Sequence, residues 1–154
     1  MLLVASTAHA YPAQIPTFSL QDPLGKSWSS SGLISNGLVI VLTAPILHDS
    51  GAQKGWDKYL PPAMPKDGQK LVFLENLSAS DWKGTALKDM HKDYTAGTVP
   101  ILLVDKTGNV AKSFGANPKN TVVLVYDKKG KLVYSFTGAP SAATATTIWG
   151  KLGK

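Results

Sequence analysis

The chain has 154 residues, 44% of them hydrophobic, and contains no cysteine. That length suits one domain with a real core rather than two ordinary ones, and the missing sulfur excludes thiol nucleophiles, disulfides and thiolate-held metals. The net charge of +6 comes wholly from sixteen lysines, because there is no arginine; lysine lacks the bidentate fork that reads guanine edges, so the basic balance gives a solvated surface with loose affinity for anions and no specific nucleic-acid site.

The first ten residues, MLLVASTAHA, form an apolar run closing on Ala8-His9-Ala10, the small-x-small pattern that a signal peptidase accepts before Tyr11. Residues 1–10 read as the remnant of an export signal and residues 11–154 as a single mature domain, periplasmic or secreted. No later stretch reaches the roughly 18 apolar residues that a membrane span needs.

Thr17-Phe18-Ser19-Leu20 alternates polar and apolar, and Asp22-Pro23 with Gly25 supplies turn chemistry, which predicts a short edge hairpin. Leu38 to Leu42 is an unbroken apolar run between Asn36-Gly37 and Ala44-Pro45, as expected of an interior strand buried on both faces. Asp49 or Ser50 can cap a helix from about Ala52 to Tyr59, with Trp56 inward and Pro61-Pro62 as its stop. Leu71 to Leu74 is a second strand. Ser78 to Asp81 has capping-box-like spacing ahead of a helix on which Ala86, Met90 and Tyr94 recur every four residues.

Pro100 to Val104 and Thr121 to Tyr126 are two further apolar runs, each closed by Asp-Lys-x-Gly, and Leu132 to Phe136 returns as hairpin partner of the latter. Taken alone, the alternation of Val110 to Phe114 predicts another strand. Pro140 and Ser141 open a last helix through Leu152, with Ile148, Trp149 and Leu152 toward the sheet. Strands alternating with helices and ending in a hairpin and a helix predict an α/β sandwich around a central mixed β-sheet, in the order β-α-β-α-β-β-α behind an N-terminal β-hairpin.

Three blocks carry a resemblance to a known family. Pro100-Ile-Leu-Leu-Val-Asp-Lys-Thr-Gly-Asn-Val-Ala-Lys-Ser-Phe-Gly115 is similar to the strand, Asp-x-x-Gly turn and short helix of redoxins of the peroxiredoxin type. Thr121 to Val133 resembles their penultimate strand, turn and final strand, and Phe18 to Lys26 their opening segment. The resemblance implies a thioredoxin-like fold and makes Val110 to Phe114 helical, against the alternation. The chain departs from the family where the chemistry lies. Thr43-Ala44-Pro45-Ile46-Leu47-His48-Asp49-Ser50 stands where the reactive cysteine would be, Thr121 where the cis-proline would be, and the family's arginine is missing. The nearest pattern is that of the YtfJ-like exported proteins.

No other chemistry replaces the thiol. His48-Asp49-Ser50 names the residue types of a hydrolytic triad, but adjacent residues cannot relay one proton through ordered hydrogen bonds. His9, His48 and His91, with nine Asp and one Glu, show no metal-ligand spacing, so neither metal nor cofactor is expected. What the resemblance implies instead is a groove between the first long helix and the start of the penultimate strand. Its candidate partner-binding residues are Thr43, Ala44, Pro45, Trp56 and Thr121. The expectation is a non-catalytic module that binds a protein or peptide. Two alternatives stay open: a redoxin-family enzyme or antioxidant acting without its own thiol, and a structural subunit of an envelope assembly.

Overall fold

The computed structural model describes residues 11–43, 50–66, 68–79, 100–117 and 119–153. The export-signal reading and the helix through Ala86, Met90 and Tyr94 lie outside these residues.

Seven strands form one mixed sheet: β1 (Ser19–Gln21), β2 (Ser27–Ser29), β3 (Leu38–Thr43), β4 (Lys70–Asn76), β5 (Ile101–Asp105), β6 (Val122–Tyr126) and β7 (Leu132–Phe136), in spatial order β2-β1-β5-β4-β3-β6-β7. β3, β4 and β5 run parallel, while β6 is antiparallel to β3 and β7 to β6. The predicted hairpin is present as β1 and β2, and it joins the sheet through Gln21 opposite Val104 of β5. Asp22 fixes its turn: Oδ1 accepts the amides of Leu24 and Lys26, both at 2.9 Å, and Oδ2 accepts Trp28 Nε1 at 3.1 Å.

Alternation along the strands divides the core in two. Leu38, Ile40, Leu42, Val72, Leu74, Leu103, Leu124 and Tyr126 face Phe18, Leu33 of the short helix α1 (Ser30–Leu33), and Phe114. Val39, Val41, Leu71, Phe73, Val123 and Val125 face Trp56 and Leu60 of α2 (Ser50–Ala63) and Ala145, Ile148 and Trp149 of the C-terminal helix. Every residue of β3 is buried, as its unbroken apolar run requires. Each such aliphatic side chain stabilises the fold by roughly 1.5–3 kcal/mol. On the first face, Tyr126 Oη donates to Pro12 O at 3.1 Å and so ties the N-terminal segment across the sheet.

The structure corrects three local expectations. Residues 110–114 are not a strand; α3 (Asn109–Ser113) is helical, as the family resemblance implies. The reason is Asp105 at the end of β5, whose Oδ1 accepts Gly108 N at 3.0 Å and Oδ2 accepts Ala111 N at 2.8 Å. Those two bonds coil the chain immediately beyond the turn, and a buried carboxylate fully used by backbone donors outweighs a five-residue alternation. Nor does Pro61-Pro62 stop α2 where it begins; both prolines lie in the last turn, and the helix ends at Ala63. The amides they lack would have bonded the carbonyls of Asp57 and Lys58, which are exposed positions open to solvent. The C-terminal helix α4 (Ala142–Gly150) begins where predicted, with Ser141 Oγ accepting Thr144 N at 3.1 Å, but closes at Gly150, short of Leu152.

Candidate functional site

Parallel pairing of β3 with β4 runs in register from Leu38 opposite Lys70 to Thr43 opposite Glu75. Antiparallel pairing of β3 with β6 puts Leu42 opposite Val122, so Thr121 enters beside Thr43. Side chains two residues apart share a face, which makes Thr43 follow Val39 and Val41, Glu75 follow Leu71 and Phe73, and Thr121 precede Val123 and Val125. Three adjacent strands thus exchange an apolar residue for a polar one at the same end and on the same face, the face covered by α2.

All three residues are buried, with relative exposures of 4% for Thr43, 1% for Glu75 and 6% for Thr121. Thr121 Oγ1 donates to Thr43 Oγ1 at 3.2 Å. Gln53, in the first turn of α2, donates its Nε2 hydrogen to Glu75 Oε1. Burial pushes the Glu75 carboxyl up to about 8, and the Gln53 bond acts in the opposite direction. Among the described residues its other oxygen, Oε2, has no hydrogen-bond partner. At neutral pH the group is therefore mostly protonated, a carboxylic acid held out of water, bonded to the Gln53 amide and in register with Thr43.

The residues singled out from sequence are only partly brought together. Thr43 and Thr121 meet directly. Ala44 and Pro45, together with His48 and Asp49, lie outside the described residues. Trp56 packs inward on α2, 1% exposed, its ring edge-on to Phe136 at 5.7 Å between centroids. Two members of the cluster were missed. Glu75 is the only glutamate of the chain and stands just beyond Leu71 to Leu74, where the apolar run stops but the strand does not. Gln53 lies on a helix whose rotation no single apolar stripe fixes. Among the described residues there is no group of three His, Cys, Asp or Glu able to hold a metal ion, and no helix long and apolar enough to cross a membrane.

No protein-family model matches the sequence, and a search of curated proteins finds no relative. Solved structures do match. The pneumococcal exposed lipoprotein thioredoxin Etrx1 from Streptococcus pneumoniae superposes with a TM-score of 0.65 at 18% identity, over 88% of this chain and 99% of that one. MTB dsbF, in mixed oxidized and reduced forms, gives 0.65 at 19% identity over 93% and 99%. StoA from Bacillus subtilis gives 0.64 at 16% identity over 89% and 98%. At these identities the likeness is one of fold.

Proposed function

We propose that this chain, thioredoxin-like in fold and without a cysteine, is a redox-silent, exported module that binds a protein or peptide partner at the strand ends where redox members of the fold keep their reactive sulfur. The observation that carries the reading is the bond between Thr43 and Thr121. The end of β3 and the entry of β6, which would floor a groove between α2 and the start of β6, stay joined although the chemistry they framed is gone. The redoxin-like blocks at residues 18–26, 100–115 and 121–133 support descent from a thiol enzyme whose site was abandoned. Export is supported by the small-x-small pattern before Tyr11, by the resemblance to YtfJ-like exported proteins, and by a structural neighbour described as an exposed lipoprotein.

The test is selection of a random peptide library on the immobilised protein, with retained peptides then measured against Thr43→Lys, the milder Thr43→Val, and Lys129→Ala at the opposite end of the sheet. Circular dichroism checks that each variant is folded. Binding weakened by the Thr43 changes and kept by Lys129→Ala supports the groove; equal binding to all three rejects it. Disulfide reduction or peroxide consumption above the protein-free control would instead establish the enzymatic alternative.

A further inference from the structure

Three carboxyls are buried among the described residues, and the fold uses up two of them. Asp22 and Asp105 spend both oxygens on backbone amides or an indole N–H. Glu75 spends one, on Gln53, and among the described residues leaves Oε2 without a partner in a side chain only 1% exposed. On α2 the charged residues Lys54, Asp57 and Lys58 are exposed; β3 carries none; Asp105 on β5 lies on the other face. A buried carboxyl with an idle oxygen is costly, and nothing in the sheet or in α2 needs it: Leu71 and Phe73 fill the same row with apolar side chains.

We propose that Glu75 is the recognition point for a primary ammonium group of the partner, a lysine side chain or a chain N-terminus, seated where the first turn of α2 meets the ends of β3 and β4. This rests on the groove reading, since it names what the partner brings to that end of the sheet. Geometry selects ammonium over guanidinium. A guanidinium clamps both oxygens of a carboxylate with its planar fork, whereas Gln53 already holds one of the two here. An ammonium is a point charge with three rotatable donors and is satisfied by one oxygen plus neighbouring acceptors. Thr43, the register partner of Glu75, supplies such a hydroxyl. A chain of net charge +6 does not steer cations over long distances, so recognition is of short range. Seating the cation turns the acid into a carboxylate, and its proton leaves to solvent.

The probes are n-butylammonium, the blocked tripeptide Ac-Ala-Lys-Ala-NH2, the dipeptide amide Ala-Ala-NH2 with a free N-terminus, and uncharged N-butylacetamide, titrated at pH 7 into the 15N-labelled protein. Saturable shifts at Thr43, Gln53, Glu75 and Thr121 with the ammonium probes, absent with N-butylacetamide and at least about tenfold weaker in Glu75→Gln, are expected. Calorimetry in two buffers of different ionisation enthalpy should show close to one proton released per ammonium bound. The two peptides separate lysine from N-terminal recognition. Equal shifts from the neutral probe, affinity unchanged in Glu75→Gln, or no proton released would overturn the proposal; should that variant not fold, proton release by the wild type decides. A neutral peptide that shifts Thr43 and Thr121 while every ammonium probe fails sinks the ammonium and leaves the groove. Ammonium binding with no peptide retained in the library selection supports the ammonium and sinks the groove.

Discussion

Thr121 Oγ1 donates to Thr43 Oγ1 across 3.2 Å, joining residues 78 positions apart at the mouth of the sheet. Neither hydroxyl is exposed, so this bond lies in the interior and removing either side chain's hydroxyl loses it. Thr43→Val should cost about 1–2 kcal/mol, and Thr43→Val with Thr121→Val less than the sum of the two single changes, because each single change already loses the one bond the pair shares. Urea unfolding of the four proteins measures the coupling. Strictly additive losses would mean that the two hydroxyls do not support each other.

Stability should fall as the solution is made more alkaline, because of Glu75. Its folded value of about 8 lies above the ordinary 4.5. Between those values the unfolded chain has lost the proton and the folded one still holds it, so each step up in pH favours unfolding. Below 4.5 both states are protonated and above about 8 both are ionised, so the slope vanishes at either end. Glu75→Gln should flatten this window and be the more stable protein at pH 9, by several kcal/mol. Denaturation midpoints of the pair across pH 4 to 9 decide the matter; parallel curves would show that Glu75 is ionised in the fold.

Two glycines with the same backbone conformation should respond differently to alanine. Gly108 has φ +79 and Gly25 φ +85, both in the left-handed region. A Cβ at Gly25 meets nothing within 4 Å, while one at Gly108 would stand 2.2 Å from Ser78 Oγ and 3.0 Å from Asn76 Oδ1. Gly25→Ala should therefore cost about 1 kcal/mol, from conformation alone, and Gly108→Ala at least about 2 kcal/mol more. Thermal melting of both variants gives the difference. Similar losses would show that the segment after β4 yields to the methyl.

Trp149 Nε1 donates to Leu60 O at 2.9 Å, both groups buried. That carbonyl lies in the last turn of α2, and the amide four residues on, Met64 N, bonds Pro61 O instead. The indole thus closes the end of the helix from another element. Trp149→Phe keeps much of the ring but removes the donor, and should cost about 1–3 kcal/mol. Amide exchange should speed up in the last turn of α2 more than in β3; uniform acceleration would assign the loss to packing.

The sequence by itself determined the elements whose signals are local. Unbroken apolar runs marked β3, β4, β5 and β6, since a strand covered on both faces has no polar side to show. Asp-x-x-Gly turns placed the ends of β5 and β6, and Ser141 the start of α4, because a short polar side chain bonding amides a few residues on acts within its own segment. Absence of cysteine excluded thiol chemistry without any coordinates. Tertiary structure decided what depends on residues distant in the chain. Whether residues 110–114 coil or extend is settled by Asp105, whose carboxylate reaches Ala111. Whether Trp56 faces a cleft or the core is settled by the rotation of α2 against β7. Above all, the register of three strands from separate parts of the chain puts Thr43, Glu75 and Thr121 side by side. Glu75 is one residue past an apolar run, and what sets it apart is burial with one oxygen unpaired among the described residues, which only packed neighbours can impose.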